Sequence, residues 1–276
     1  MTTDADTRSV ADLEEVAFSL RSTMLRMAAD KGEGYIAQGL GIADLLAVIY
    51  FRELRFDPEN PDDKDRDRFL LSTGHYSIAL YAALAEVGVI DHAELETYAL
   101  NGSDLPMSTF DETPGVEITS GSLGHGLGQG VGMALGLRLD GSPAKVLVEL
   151  SDGEIQEGAT WESAMSAAGF GLDNLWAFVD CNGIQADGAL VMDIEPVADK
   201  WRAFGWAVRE VNGNDMAELV GAIDELRDCG GPKVVVLRTT PGHGVPTLVA
   251  RERAHFVRVA DDEWTRLKTE LEQNHG

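Results

Sequence analysis

Apolar and polar positions along the chain follow two periods, one near 3.6 and one near 2 or continuous, and the switches between them predict the elements. Over 8–30, Val10, Leu13, Val16, Leu20, Met24 and Met27 recur near a helical period, which predicts an amphipathic helix. Residues 42–52, IADLLAVIYFR, predict a second helix, largely buried because it is apolar nearly all round. The segment 57–67, DPENPDDKDRD, is polar, carries two prolines and predicts a surface loop. RFLLST then predicts a short strand and GHYSIALYAALAEVG a helix. A stretch rich in Gly, Ser, Thr and Pro, 102–126, leads into GLGQGVGMALGLRL, a Gly/Ala-rich helix able to approach a neighbour closely. KVLVELSDG (145–153) and LWAFVDCNG (175–183) predict buried strands, each ending in a turn, with the helix TWESAMSAAGFG (160–171) between them. The helix VADKWRAFGW (197–206), the strand WAVREV, the helix AELVGAIDELRD and the strand PKVVVLRTT (232–240) follow.

Strands rich in Val and Leu that alternate with helices of about 10–15 residues imply βαβ units. The expected class is α/β, a mainly parallel sheet with helices on both faces. Ligands of such sheets bind at the carboxyl ends of the strands, and the turns at 151–154 and 180–184 sit at two such ends. With no internal repeat and no low-complexity linker, residues 1–276 read as one domain.

Charge narrows the choice of ligand. Lys and Arg number 22 and Asp and Glu 47, a net charge of −25. A field of that sign repels nucleic acid and anionic membrane surfaces, so neither is an expected partner. A phosphorylated ligand must then be held by local devices such as a metal ion, a helix N-terminus or backbone N–H groups. No apolar run reaches the roughly 18–20 residues of a membrane span, and the start, MTTDADTRSVADLEE, is acidic, the opposite of a signal peptide. Two cysteines without CxxC spacing, Cys181 and Cys229, make a disulfide framework or cysteine zinc site unexpected and a reducing cytoplasm the simplest location.

Chemistry concentrates in LSDGEIQEGATWESAMSAAGFGLDNLWAFVDCNGIQADG, 150–188. Asp152 closes one buried strand and Asn182 the next, with a strand–helix–strand spacing of 30 residues that sets both side chains on adjacent strand ends. A carboxylate and an amide oxygen in one cleft form a hard, oxygen-only metal site, of the kind Mg²⁺ shares with phosphates. Gly153 lets backbone approach a phosphate, and the following helix offers its N-terminus. Each turn alone is ordinary, since Asp-Gly and Asn-Gly are common turn dipeptides. The pairing across two buried strands is what points to a metal.

These residues resemble the thiamine diphosphate-binding domain of transketolases. The family's signature is GDG, about thirty residues, then an Asn-containing turn, and this chain reads SDGE…DCNG, with Ser151 in place of the first Gly. ITSGSLGHGLGQGVGMALG (118–136) is similar to the family's Gly-rich segment beside the aminopyrimidine ring, LSTGHYSIALYAAL (71–84) to its Ser-x-Gly-His helix start, and RERAHFVRVADDEW lies where its late His segment lies. The resemblance covers about 12–265. It implies thiamine diphosphate and Mg²⁺ as cofactors, with Ca²⁺ or Mn²⁺ as substitutes. It implies a metal held by the side chains of Asp152 and Asn182 and the carbonyl of Ile184, with Gly153 and Glu154 at the diphosphate turn. His75 and His255 would face the diphosphate and the reacting centre, and are the implied catalytic histidines. Gly121 and Leu123 would hold the cofactor bent, the leucine wedged between its rings. Glu157, the third implied catalytic residue, and Glu162 match acidic positions at the family's subunit contact. His125 and His243 are not expected to be catalytic.

The resemblance also marks departures. Tyr35, in EGYIAQGLG, stands where the family has a substrate-side His, and Ser108, in LPMSTFD, where it has another. A phenol donates a hydrogen bond but is a poor base at neutral pH. The cofactor signature is thus kept while the substrate pocket is altered, which implies a donor or acceptor other than the usual pentose phosphates. Family members of full length add a pyrimidine-binding domain, whose glutamate activates the cofactor, and a third domain. This chain is expected to be the N-terminal subunit of a split transketolase, transferring a two-carbon ketol unit from a ketose to an aldehyde with a partner chain, as an α₂β₂ assembly. Two other readings remain open on the residues: a thiamine diphosphate-dependent 2-oxo acid decarboxylating or ligating subunit, and a non-catalytic partner subunit. A dinucleotide-binding module is disfavoured, because GSLGHG has the wrong glycine spacing and follows a loop.

Overall fold

The structure, a computed structural model, describes residues 8–61, 63–186 and 188–275; the first seven residues of the acidic start lie outside them. Its centre is a five-stranded sheet of β1 (Arg68–Leu71), β2 (Val146–Ser151), β3 (Leu175–Cys181), β4 (Ala207–Asn212) and β5 (Lys233–Arg238). The spatial order is β1-β2-β3-β5-β4, and every pairing is parallel. The α/β class expected from the sequence is the class found.

Alternation along each strand divides the core into two layers. Phe69, Leu71, Leu147, Trp176, Phe178, Val235 and Leu237 pack on one face, under α1 (Val10–Lys31), α2 (Ile36–Gly41), α3 (Ala43–Val48), α4 (Ser77–Glu86) and, further along, α8 (Met216–Arg227). Leu70, Val146, Val148, Leu150, Leu175, Ala177, Val179, Val234 and Val236 pack on the other, under α5 (Gly126–Leu139), α6 (Gly158–Phe170) and α7 (Val197–Ala203). Both faces of the sheet are covered, and its strands are near-continuous apolar runs for that reason.

Local chemistry fixes the ends of α1. The Ser9 hydroxyl accepts from Asp12 N (3.2 Å), Ser9 N donates to the Asp12 carboxylate (3.0 Å), and Gly32, at φ 79°, closes the helix in the left-handed region. The predicted helix at 42–52 is α3 continued by one wide turn over Ile49–Glu53. The helix α2 before it carries no clear sequence signal, because Gly39 and Gly41 lower helix propensity. Gly39 is there for packing: a Cβ would lie 3.0 Å from Met24 Sδ and 3.1 Å from an Ile78 methyl.

The chain after residue 240, unassigned by periodicity, forms two short helices, α9 (Pro246–Val249) and α10 (Trp264–Gln273). Between them Val257–Arg258 pairs antiparallel with Glu33–Gly34, and Val259 N donates to Gly32 O (3.1 Å). This small pairing brings the 250s segment beside residue 35. Among the described residues no helix is long and apolar enough to cross a membrane.

Close contact of α5 with the sheet depends on Gly130, where a Cβ would sit 2.6 Å from a Val148 methyl. Gly221, inside α8, has no atom within 4 Å of the same position. Gly130→Ala is expected to destabilise by about 1–2 kcal/mol, the clash outweighing the gain in helix propensity. Gly221→Ala is expected to stabilise by about 0.5–1 kcal/mol. Denaturant unfolding of the two variants beside wild type checks both signs.

Candidate active site

β2 and β3 end level with one another. Ser151 pairs with Asp180, and Asp152 N donates to Asp180 O (2.9 Å), so the turns after the two strands begin side by side. The Asp152 carboxylate stays at this junction, one oxygen accepting from Gly153 N (2.7 Å) and the other from Gly183 N (2.6 Å). Asn182 Oδ1 accepts from Ile184 N (3.0 Å). Oxygens of Asp152 and Asn182 therefore lie against consecutive backbone N–H groups of one turn. Each accepts one hydrogen bond and has capacity for two. Both are oxygen donors of the kind that suits a hard divalent cation, and Ile184 lies on the same turn.

The junction is electrostatically unusual. Glu149, Asp152, Glu154 and Asp180 are each at most 1% exposed. Their side-chain partners are hydroxyls, backbone N–H groups and the Asn182 amide rather than Lys or Arg. Glu149 Oε2 accepts from the Thr73 hydroxyl (2.5 Å), while its Oε1 is buried without a partner. Asp180 accepts from Thr239 Oγ1, Tyr76 Oη (3.2 Å) and Asn182 Nδ2 (2.6 Å). Burial pushes Asp152 up to about 7, against the opposing pull of its backbone N–H donors, and Asp180 up to about 6. It holds Glu149 well above the carboxylate range, with Asp180 and Glu154 adding to the effect. These are buried carboxyl groups without a basic partner, which hold protons unless a cation is set beside them.

A cavity of about 580 Å³ opens beside the junction, within the size range of small-molecule sites. Gly153 lies on its wall, and a Cβ there would have its nearest neighbours at 3.9 Å, so the backbone faces open space. Gly121, at φ 119°, and half-buried Leu123 also line the cavity. Glycine is required at 121 twice over, by its φ and because a Cβ would meet Ser108 Oγ at 2.6 Å.

His75 and His255 come together in this cavity, ring centroids 5.3 Å apart, although 180 residues separate them in sequence. Tyr35 stands edge-on to both, at 4.8 and 5.3 Å. His75 is placed by the turn after β1, His255 by the pairing of Val257 with Gly34. Burial lowers His75 to about 3, helped by His255, and lowers His255 as well. Both rings are thus neutral near pH 7, and an anion placed beside them would restore basicity. Ser108 is also on the wall, its hydroxyl donating to Ser120 O (2.8 Å).

The remaining predicted residues divide. Ile184 and Glu157 line the cavity, Glu157 exposed at the N-terminus of α6 with its Cβ against Gly124. Glu162 is exposed on the same helix, whose open face also carries Met165 and Phe170, 53% and 51% exposed. The Glu154 side chain turns inward instead: its Oε1 accepts from Ser72 Oγ and from Gly124 N (2.8 Å), tying the turn after β2 to the loop that carries Leu123. His125 is exposed, and His243 lies outside the cavity beside the buried Arg21–Asp44 pair. Sequence reading passed over Tyr76, Glu149 and Asp180. The available signal was a charge inside an apolar strand: Glu149 interrupts VLVEL and Asp180 interrupts LWAFVDC, at positions a solvated acid would not occupy. Ser151 supplies the hydroxyl that accepts from Glu154 N (3.2 Å), so the departure from glycine is absorbed within the turn.

Comparison with known proteins agrees with this geometry. The profile of the family described as transketolase, thiamine diphosphate binding domain, matches residues 14–275. A transketolase family protein of Sinorhizobium fredii, itself of uncharacterized activity, is 52% identical over 257 residues, 91% of this chain and 92% of that one. The 6-deoxy-6-sulfo-D-fructose transketolase subunit of a Clostridium species is 38% identical, over 95% of this chain and 97% of that one. The crystal structure of transketolase from Campylobacter jejuni superposes with a TM-score of 0.88 at 28% identity, covering 97% of this chain and 43% of that one. The chain thus spans about two fifths of the solved transketolase.

Burial keeps Glu154 protonated up to about pH 7, against an ordinary 4.5. The folded chain holds that proton through a window in which the unfolded chain releases it, so stability falls as pH rises from about 4.5 to about 7. Gln at 154 keeps an acceptor for Ser72 and Gly124 and does not ionise. Glu154→Gln is expected to unfold like wild type at pH 5 and to be more stable at pH 8, by on the order of 2–3 kcal/mol. Equal stability of the two proteins at pH 8, measured by denaturant titration, contradicts the assignment.

Proposed function

The chain belongs to the transketolase family, in its thiamine diphosphate-binding domain, and on that premise we propose that it is the diphosphate- and metal-binding subunit of a split transketolase. It acts as a transferase component, moving a two-carbon ketol unit from a ketose donor to an aldehyde acceptor. The observation that carries this reading is the junction of β2 and β3, where Asp152 and Asn182 offer oxygens on one turn amid buried carboxyl groups that have no basic partner. A divalent cation, Mg²⁺ in the first instance, would let these carboxyl groups ionise and would offset the charge of a diphosphate that a chain of net charge −25 would otherwise repel.

When bound, thiamine diphosphate supplies a thiazolium carbon able to take up the electron pair of a cleaved carbon–carbon bond. The residues of this chain bind and orient. Asp152, Asn182 and the Ile184 carbonyl hold the metal, and the Gly153–Glu154 backbone meets the diphosphate. Leu123 and Gly121 shape the wall against which the cofactor bends. His75 and His255, kept neutral by burial, would gain basicity beside the diphosphate and hydrogen-bond the substrate's oxygens. Tyr35 and Ser108 take the places of two substrate-side histidines, and the donor or acceptor is a sugar other than the usual pentose phosphates. The relative named for 6-deoxy-6-sulfo-D-fructose, itself a subunit of nearly this length, supports both the altered substrate and the split organisation.

A partner chain with the pyrimidine domain completes the site, in an α₂β₂ assembly of cytoplasmic location, and residues 1–276 are its diphosphate and metal domain. The exposed face of α6, with Glu157, Glu162, Met165 and Phe170, is the surface we assign to subunit contact, and Glu157 acts there rather than in the metal shell.

Calorimetric titration tests the cofactor half of the reading. Thiamine diphosphate is expected to bind the wild-type chain only with Mg²⁺, and Asp152→Ala to weaken that binding on the order of a hundredfold or more. Unchanged affinity in the variant sinks the metal assignment. Turnover tests the other half: the chain with cofactor, Mg²⁺ and a ketose is expected to stay inactive until the partner chain is added. In the reconstituted enzyme, xylulose 5-phosphate and ribose 5-phosphate are expected not to be the best pair. Substantial turnover by the chain alone, or preference for that pair, contradicts the corresponding claim.

A further inference from the structure

Tyr76 follows His75 on the turn after β1, is only 2% exposed, and yet contributes to the cavity wall beside the strand tips. Its hydroxyl donates to Asp180 Oδ2 (3.2 Å) and accepts from Asn182 Nδ2 (2.9 Å). Asn182 Nδ2 also donates to Asp180 Oδ2 (2.6 Å), which closes a triangle of three hydrogen bonds. Asp180 is held in turn by the Thr239 hydroxyl, one residue beyond the end of β5.

A side-chain amide has two N–H donors on one side and an oxygen on the other. At Asn182 both donors are taken, one by the tyrosine and one by the carboxylate. Turning the amide over would set its oxygen against the Asp180 carboxylate and its NH₂ against the Ile184 N–H that Oδ1 now accepts from. Both contacts would be repulsive, so the amide has one orientation, nitrogen inward and oxygen toward the turn at 183–184. Asp180 accounts for one of the two N–H groups. Without the tyrosine oxygen the second would be left without a partner on a residue 9% exposed.

We propose that Tyr76 is a positioning residue for metal binding: its hydroxyl locks the Asn182 amide with Oδ1 presented to the cation. The inference rests on the metal reading of Asp152 and Asn182 given above, and extends it to a residue that touches neither metal nor substrate through its hydroxyl.

Tyr76→Phe keeps the ring and removes the hydroxyl. With thiamine diphosphate saturating, Mn²⁺ affinity of the full chain, read from the EPR signal of free Mn²⁺, is expected to fall about tenfold, while circular dichroism and unfolding midpoint stay close to wild type. In an Asn182→Asp background the carboxylate presents oxygen whichever way it is turned. Adding Tyr76→Phe there is expected to cost less than about twofold, the mark of coupling between the two residues. Equal Mn²⁺ affinity in wild type and Tyr76→Phe overturns the proposal, as does a tenfold loss in both backgrounds, which would mean a general loosening of the cleft. Failure of wild type to bind Mn²⁺ with the cofactor overturns the metal reading first, and the proposal with it. A second measurement uses the wild-type chain alone: the Asn182 NH₂ protons are expected as two separate, slowly exchanging NMR signals. Exchange as fast as that of a solvent-exposed asparagine overturns the proposal even if Tyr76→Phe does not fold.

Discussion

Parallel strands all present their carboxyl ends at one edge, and in this molecule two of those ends stop level. Everything at the site depends on that register. Because Ser151 pairs with Asp180, the turns after β2 and β3 share hydrogen bonds, and a carboxylate and an amide meet on consecutive N–H groups. The same register packs four acids into a space with almost no water. Carboxylates in such a place either hold their protons or require a positive neighbour. The sheet tolerates the arrangement because its apolar strands and two helical layers supply the burial that holds the edge together.

Another part of the cleft's lining follows a different logic. There the groups are aromatic, hydroxylic and neutral: Tyr35, Ser108 and two histidines that burial keeps uncharged. Such a wall offers hydrogen bonds without a fixed charge of its own. Its basicity is set by what is bound beside it, so binding and acid–base competence are linked at this surface. The strongly acidic surface strengthens the link, since an anion arrives here only in company with a cation.

Much of this was legible in the sequence. The strand and helix periods read between residues 10 and 238 match observed elements, and the α/β class followed from their alternation. The level tips were also readable, since the length from Asp152 to Asn182 fits one strand–helix–strand crossover and little else. Other features were hidden for physical reasons. Helix α2 is rich in glycine because Met24 and Ile78 need the room, and tertiary packing there overrides propensity. The inward turn of Glu154 depends on Ser72 and Gly124, brought from 82 and 30 residues away. The triangle of Tyr76, Asp180 and Asn182 joins two strand ends that no local pattern connects. Sequence motifs name the groups that face a ligand more readily than the groups behind them, because the latter answer to geometry alone.

The antiparallel stitch between Glu33–Gly34 and Val257–Arg258 has a consequence for how the molecule is made. It joins segments more than 220 residues apart, so it can form only once nearly the whole chain has been made. A nascent polypeptide leaving the ribosome can complete the sheet, the strand tips and the buried acids while His255 is still inside the exit tunnel. The protein therefore completes its strand tips before its imidazole pair, and maturation of the pocket is ordered in time by the direction of synthesis.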